Sequence, residues 1–149
     1  MKKFILLAAG IILTIAFAIF ATHIFEAMYY SNVFSNEMYD LQLNGPCAWI
    51  CIGIAWALAA LFYYAINSVS FSRWYHWLIV LVCGVVLSAT ATYLFINHQF
   101  DILTNDADFS VQTFRMAINA GICQAVIFVV ASFSIRWWSS NCRHTPFPE

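Results

Sequence analysis

Four long apolar runs, separated by short polar segments, set the pattern of the chain. Uncharged stretches extend from Phe4 to Phe25, Leu41 to Ser72, Trp74 to Phe100 and Met116 to Ile135. Each can cross a bilayer, because about 20 apolar residues in a helix cover a hydrocarbon core of ~30 Å. The stretch from Phe114 to Trp138 is the clearest. Arg115 stands at its start, and Arg136, Trp137 and Trp138 close it with the basic and aromatic side chains that a headgroup boundary attracts. The pattern predicts helices over about residues 4–25, 46–67, 74–97 and 112–138. The expected fold is an all-α membrane protein, a four-transmembrane-helix antiparallel bundle forming a single membrane domain over residues 1–149.

The polar segments predict how the spans connect. Lys2 and Lys3 precede a first run longer than the ~7–15 residues of a signal-peptide core, so an uncleaved anchor helix is expected despite Ala16 and Ala18. Residues 26–45 form a first outer loop, polar and aromatic, in which Glu37 to Asp40 suit a short helical turn on the membrane surface. Gly45 and Pro46 end that loop, with Pro placed for the first turn of the next helix. Residues 68–73 are too short for anything but an antiparallel hairpin, and residues 98–111 form a second outer loop carrying Asp101, Asp106 and Asp108. The tail, residues 139–149, holds Pro146 and Pro148 and too little apolar content to pack, which predicts poor order.

Composition removes the soluble classes. The chain of 149 residues is 63% apolar, 18% aromatic and only 9% charged, against about 25% charged in soluble domains. A net charge of −1 without a Lys/Arg cluster excludes nucleic acid as a partner. Basic residues accumulate on the cytoplasmic side of short loops. With both termini cytoplasmic, Lys2, Lys3, Arg73, Arg136 and Arg143 lie inside and only Arg115 outside, as expected for a multi-pass protein of the inner membrane.

Lipid tails are as apolar as leucine, so spans associate through small residues and interhelical hydrogen bonds. Gly10, Thr14 and Ala18, continued by Thr22, mark such a face on the first helix. Gly53 and Ala57 mark one on the second, Gly84 and Ser88 on the third, and Gly121 on the fourth. The expected partners are membrane lipid, further copies of the chain, or other membrane proteins.

Candidate chemistry is sparse. Gln112, Arg115 and Asn119 share one helix face at the outer end of the fourth span, with Asp106, Asp108, Asp101 or Glu26 as carboxylate partners for the Arg. This is either an anion or headgroup site or an interfacial anchor. His23-Ile-Phe-Glu26 and His98-Gln-Phe-Asp101 repeat a His-x-Phe-acid pattern, which fits plain hydrogen bonding, a duplicated helical hairpin or a metal site.

The five cysteines, Cys47, Cys51, Cys83, Cys123 and Cys142, are odd in number, and Cys83 and Cys123 fall within spans, so they do not read as a disulfide framework. Four spans with outer Cys47 and Cys51 resemble the quinone-coupled disulfide-forming membrane enzymes. The spacing is C-x-x-x-C rather than C-x-x-C, however, and the second outer loop has no cysteine. No cofactor or catalytic motif is present. The sequence therefore points to a non-enzymatic subunit of an envelope or secretion complex. A small transporter or channel, or an immunity protein against a pore-forming toxin, stands as the alternative. The small multidrug transporters, of similar size, carry a carboxylate in mid-span, whereas Glu26 comes only at a helix end.

Overall fold

The computed structural model describes residues 2–103 and 109–147. Helix α1 is Lys2–Met28, α2 Asn32–Asp40, α3 Asn44–Ala60, α4 Trp74–Leu103 and α5 Ser110–Ile135. Helix α3 passes into a π-helical turn, Leu61–Ile66; 3-10 turns follow at Val69–Phe71 and Arg136–Trp138. Four helices are long and apolar enough to cross a membrane. In lipid a spanning segment must satisfy its backbone hydrogen bonds internally, and a helix does so residue by residue. At 1.5 Å per residue, α4 is about 45 Å long and exceeds the ~30 Å core by several turns. It runs on past the expected stop near Asn97 and carries Phe100 to the ring of Phe34 in α2.

Helix α5 is the centre of the bundle. It packs against α1, α3 and α4 and is far more buried than α1. Helix α3 also touches both α1 and α4, whereas α1 and α4 scarcely meet. The cross-section is thus a rhombus, with α3 and α5 in contact across its short diagonal. Small residues allow that approach. Cys47, Cys51, Ala55 and Ala59 recur every fourth position of α3 and are fully buried, with Ala120 and Ala131 of α5 buried in the same interior. The expected contact through Gly53 and Ala57 is incorrect: both are exposed, and nothing lies within 4 Å of a Cβ placed on Gly53. Two small-residue stripes run along α3, and rotation of the helix buries the other one.

The remaining small residues of the sequence reading lie at crossings. A Cβ on Gly10 would strike Ser134 of α5, and one on Gly84 would strike Gln124 and Leu58. Gly121 faces the Val85 side chain and carbonyl at 3.1 and 3.3 Å from such a Cβ. Thr14 and Ser88 are buried and Ala18 is half-buried. These contacts make α1 antiparallel to α5, and the Phe4 ring lies 5.8 Å from that of Trp138. Lys2, Lys3, Arg73, Arg136 and Arg143 thus share one end, here termed basic. Glu26, Glu37, Asp40 and Asp101 share the other.

Helix α2, which includes the helical turn expected at Glu37 to Asp40, caps the acidic end. Its spacing brings Phe34, Ser35 and Met38 to one face, and all three are buried. The Phe34 ring sits 5.8 Å from both Phe100 and Phe109. Burying a Phe or Met side chain contributes about 1.5–3 kcal/mol where the alternative is water. The helix ends in a Schellman motif. Leu43 N–H donates to the Met38 carbonyl at 2.9 Å and Gln42 N–H to that of Tyr39 at 3.0 Å, with Gln42 at φ 53° where Gly is usual.

The tail differs most from expectation. Residues 139–147 fold back over the basic end, with Ser139, Cys142 and Thr145 buried. Its low apolar content is offset by hydrogen bonds to the α3–α4 connection.

Candidate functional site

The residues singled out at the acidic end are spread over the ends of α1, α4 and α5. Gln112 and Asn119 are half-buried on α5, and Arg115 is exposed. The Arg115 guanidinium lies over the ring of Tyr29, 5.6 Å from its centroid, so a cation–π contact positions it. Glu26 borders a cleft of only about 10 Å³ with Tyr29, Phe34 and Asn44. Asp106 and Asp108 lie outside the described residues.

His23, His98 and Asp101 are exposed, but Phe25 and Phe100, the central residues of the two His-x-Phe-acid patterns, are 1% and 4% exposed. Each motif is thus a helix end whose Phe plugs the core while its His faces outward; Asp101 is exposed as well, whereas Glu26 is half-buried at its cleft. Among the described residues, no group of three or more His, Cys, Asp or Glu could hold a metal ion.

A seam of polar side chains crosses the interior. The Trp77 indole N–H donates to Ser132 Oγ at 3.1 Å, and the Ser88 hydroxyl donates to Cys51 Sγ at 3.5 Å. Cys51 Sγ in turn donates to the Ala120 carbonyl at 3.4 Å. On the α1 side, the Trp56 indole N–H donates to Thr14 Oγ1 at 3.1 Å, while Thr14 donates to the Gly10 carbonyl at 2.8 Å. Gln124 is fully buried against Gly84, and neither its amide nitrogen nor its oxygen has a hydrogen-bond partner. All five cysteines are free thiols, and Cys47 and Cys51 are buried among helices rather than presented to a thiol partner.

The basic end holds the densest polar network. Asn67 follows the π-helical turn at φ 25° and ψ 47°, in the left-handed region that Asn tolerates better than most residues. From there its Oδ1 accepts from Ser139 Oγ at 2.9 Å and from the Asn141 backbone N–H at 3.0 Å, while Nδ2 donates to Ser140 Oγ at 3.1 Å. Asn141 Nδ2 returns a bond to the Asn67 carbonyl at 2.7 Å, and the Tyr63 hydroxyl donates to the Thr145 carbonyl at 3.1 Å. Burial pushes the Cys142 thiol up from the ordinary range, opposed by its contacts with Ser68 and Ser139. The Arg136 guanidinium lies over the rings of Phe133, Trp137 and Phe147, at 4.6, 4.5 and 5.4 Å. Sequence reading missed this latch. The available signal was two Asn/Ser clusters, residues 67–72 and 139–141, assigned to the same side of the membrane.

Beside the latch is a cavity of about 360 Å³, walled by Ser72, Arg73, Trp74 and Tyr75 of the α4 start and by Asn141, His144 and Phe147 of the tail. Arg73 donates to the Tyr75 hydroxyl at 3.3 Å. The recess thus sets the Arg73 side chain and polar groups of the tail beside three aromatic rings. No protein-family model matches the chain, and no curated protein or solved structure is detectably similar to it.

Proposed function

We propose that this four-span membrane protein is a non-enzymatic subunit of a larger membrane assembly, with an envelope or secretion complex as the setting. The observation that carries the reading is the filled short diagonal of the bundle, where Cys51 meets the Ala120 carbonyl and Gln124 fills the space beside Gly84. Among the described residues that packing brings α3 and α5 into direct contact along the middle of the bundle. Every Lys, Arg, Asp and Glu of the described residues lies toward one end or the other, which favours this reading over a transporter built on a mid-membrane charge. The excess of Lys and Arg at the end bearing both termini supports a cytoplasmic placement of that end in the inner membrane.

Extraction of the chain with its surrounding bilayer, followed by native mass measurement, tests the proposal. Particles containing the 16.9 kDa chain together with a fixed stoichiometry of other membrane proteins are expected. A lone monomer, or solute flux through reconstituted chain alone, would overturn it.

A further inference from the structure

We infer that a hollow at the acidic end, beside the turn between α2 and α3, binds a neutral polyol, a sugar or glycerol unit. It measures about 430 Å³ and is walled by Thr22 of α1, Tyr39 of α2, Gln42 of the turn, and Asn44, Gly45 and Pro46 of α3. That size is within the ~300–1,000 Å³ usual for small-ligand sites. Asn44 is the residue that points to a ligand. It is only 5% exposed, yet its side-chain amide has no hydrogen-bond partner among the described residues. Native proteins satisfy the great majority of buried amides, because an unpaired one has lost water and gained nothing. Unlike the fully enclosed Gln124, Asn44 borders open space, both at this hollow and at the ~10 Å³ cleft beside Glu26, which is about the size of one water. Helix α3 also begins without a side-chain cap at Leu43, which leaves the Asn44 and Gly45 N–H groups without intrahelical acceptors.

The wall chemistry selects a polyol. The Asn44 and Gln42 amides and the Thr22 and Tyr39 hydroxyls each offer donors and acceptors, as sugar hydroxyls do, and the Tyr39 ring and Pro46 add apolar surface for a C–H face. No Lys, Arg, His, Asp or Glu of the described residues is on the wall. An anion would meet the carboxylates of Glu26, Glu37, Asp40 and Asp101 at this end, and a hard cation would lack the carboxylate ligands it takes. The position favours lipid as the source of the polyol. Thr22 stands about 30 Å along α1 from Lys2, one hydrocarbon thickness from the basic end and so at headgroup level. Exposed Ile19 and Ile15, at i−3 and i−7 from Thr22, and exposed Trp49, at i+3 from Pro46, continue from the hollow as apolar surface for acyl chains.

Native mass spectrometry of the full chain, in phosphatidylcholine nanodiscs holding equal amounts of monoglucosyl diacylglycerol and plain diacylglycerol, tests the site. One glucosyl lipid per chain should be retained in preference to diacylglycerol. Asn44→Leu should lower that occupancy about tenfold, the loss of two hydrogen bonds. Because the amide has no protein partner to lose, this variant should unfold in detergent at an unchanged or higher temperature. Gln42→Gly should weaken retention about three- to tenfold while raising the unfolding temperature, since glycine suits the left-handed turn at φ 53°. His98→Ala, exposed on α4, which lends no residue to the wall, should leave retention unchanged. Equal retention of the two lipids, or undiminished retention by Asn44→Leu, would refute the site and leave Asn44 as a hydrated amide only. Displacement of the glucosyl lipid by millimolar methyl glucoside would support the polyol chemistry with a free sugar as its source, and retention against it would support the lipid.

Discussion

Replacing Asn67 should release the tail while leaving the four spans in place. Asn67→Gly keeps the left-handed backbone accessible and removes three side-chain hydrogen bonds of 2.9, 3.0 and 3.1 Å to Ser139, Asn141 and Ser140. Each contributes about 0.5–1.5 kcal/mol net, and their partial exposure to water places them at the lower end, for a total of about 2 kcal/mol. Asn67→Ala loses the same bonds and adds about 1 kcal/mol for a Cβ in the left-handed region. Cys142 reports the opening because its thiol is fully buried beneath the tail. Alkylation by a water-soluble maleimide in native membranes, resolved by peptide mass, then samples local opening. At about 1.4 kcal/mol per tenfold, Asn67→Gly should accelerate Cys142 labelling about thirtyfold and Asn67→Ala more than a hundredfold. An unchanged rate in Asn67→Gly would show that the apolar seating of the tail, and not the Asn67 network, holds it down.

Four further outcomes are expected. Because burial raises the Cys142 pKa in the folded state, the protonated thiol favours the closed tail. This contribution is fully present below the ordinary thiol pKa and is lost as pH rises through the raised value, so alkaline conditions should loosen the wild-type tail and affect Cys142→Ser less, by limited proteolysis. Gln124→Met keeps the side-chain length and removes an amide without partners. The variant should unfold in detergent at an equal or higher temperature, stabilised by up to about 2 kcal/mol, and a loss above ~1 kcal/mol would reveal a partner for the amide. Gly121→Leu should destabilise by about 3 kcal/mol or more against the Val85 backbone, whereas Gly53→Leu, facing open space, should change monomer stability by less than ~0.5 kcal/mol in the same measurement. Arg115→Lys should cost under ~1 kcal/mol, since both cations can sit over Tyr29 at an exposed site, and normal folding with failed complex assembly would instead mark Arg115 as a recognition residue.

The sequence alone determined the class of the fold and the order of its spans. In hydrocarbon every backbone polar group must be bonded internally, so an uncharged run of membrane length has one economical conformation, and that requirement can be read residue by residue. Charge position along the chain likewise sorts the two ends of an antiparallel bundle. The faces were another matter. Glycine and alanine occur on two sides of α3, and only its rotation against α5 decides that Cys51, Ala55 and Ala59 are inside while Gly53 and Ala57 are outside. Periodicity cannot separate them, because lipid and protein interior are equally apolar. The same limit concealed the role of Phe25 and Phe100, whose neighbouring His and acid residues drew attention as chemistry when the ring was the structural element. The tail was illegible for a different reason: Asn67 meets Ser139, Ser140 and Asn141 across more than seventy positions of chain, and polar complementarity over that separation exists only once α3 and α5 have packed side by side.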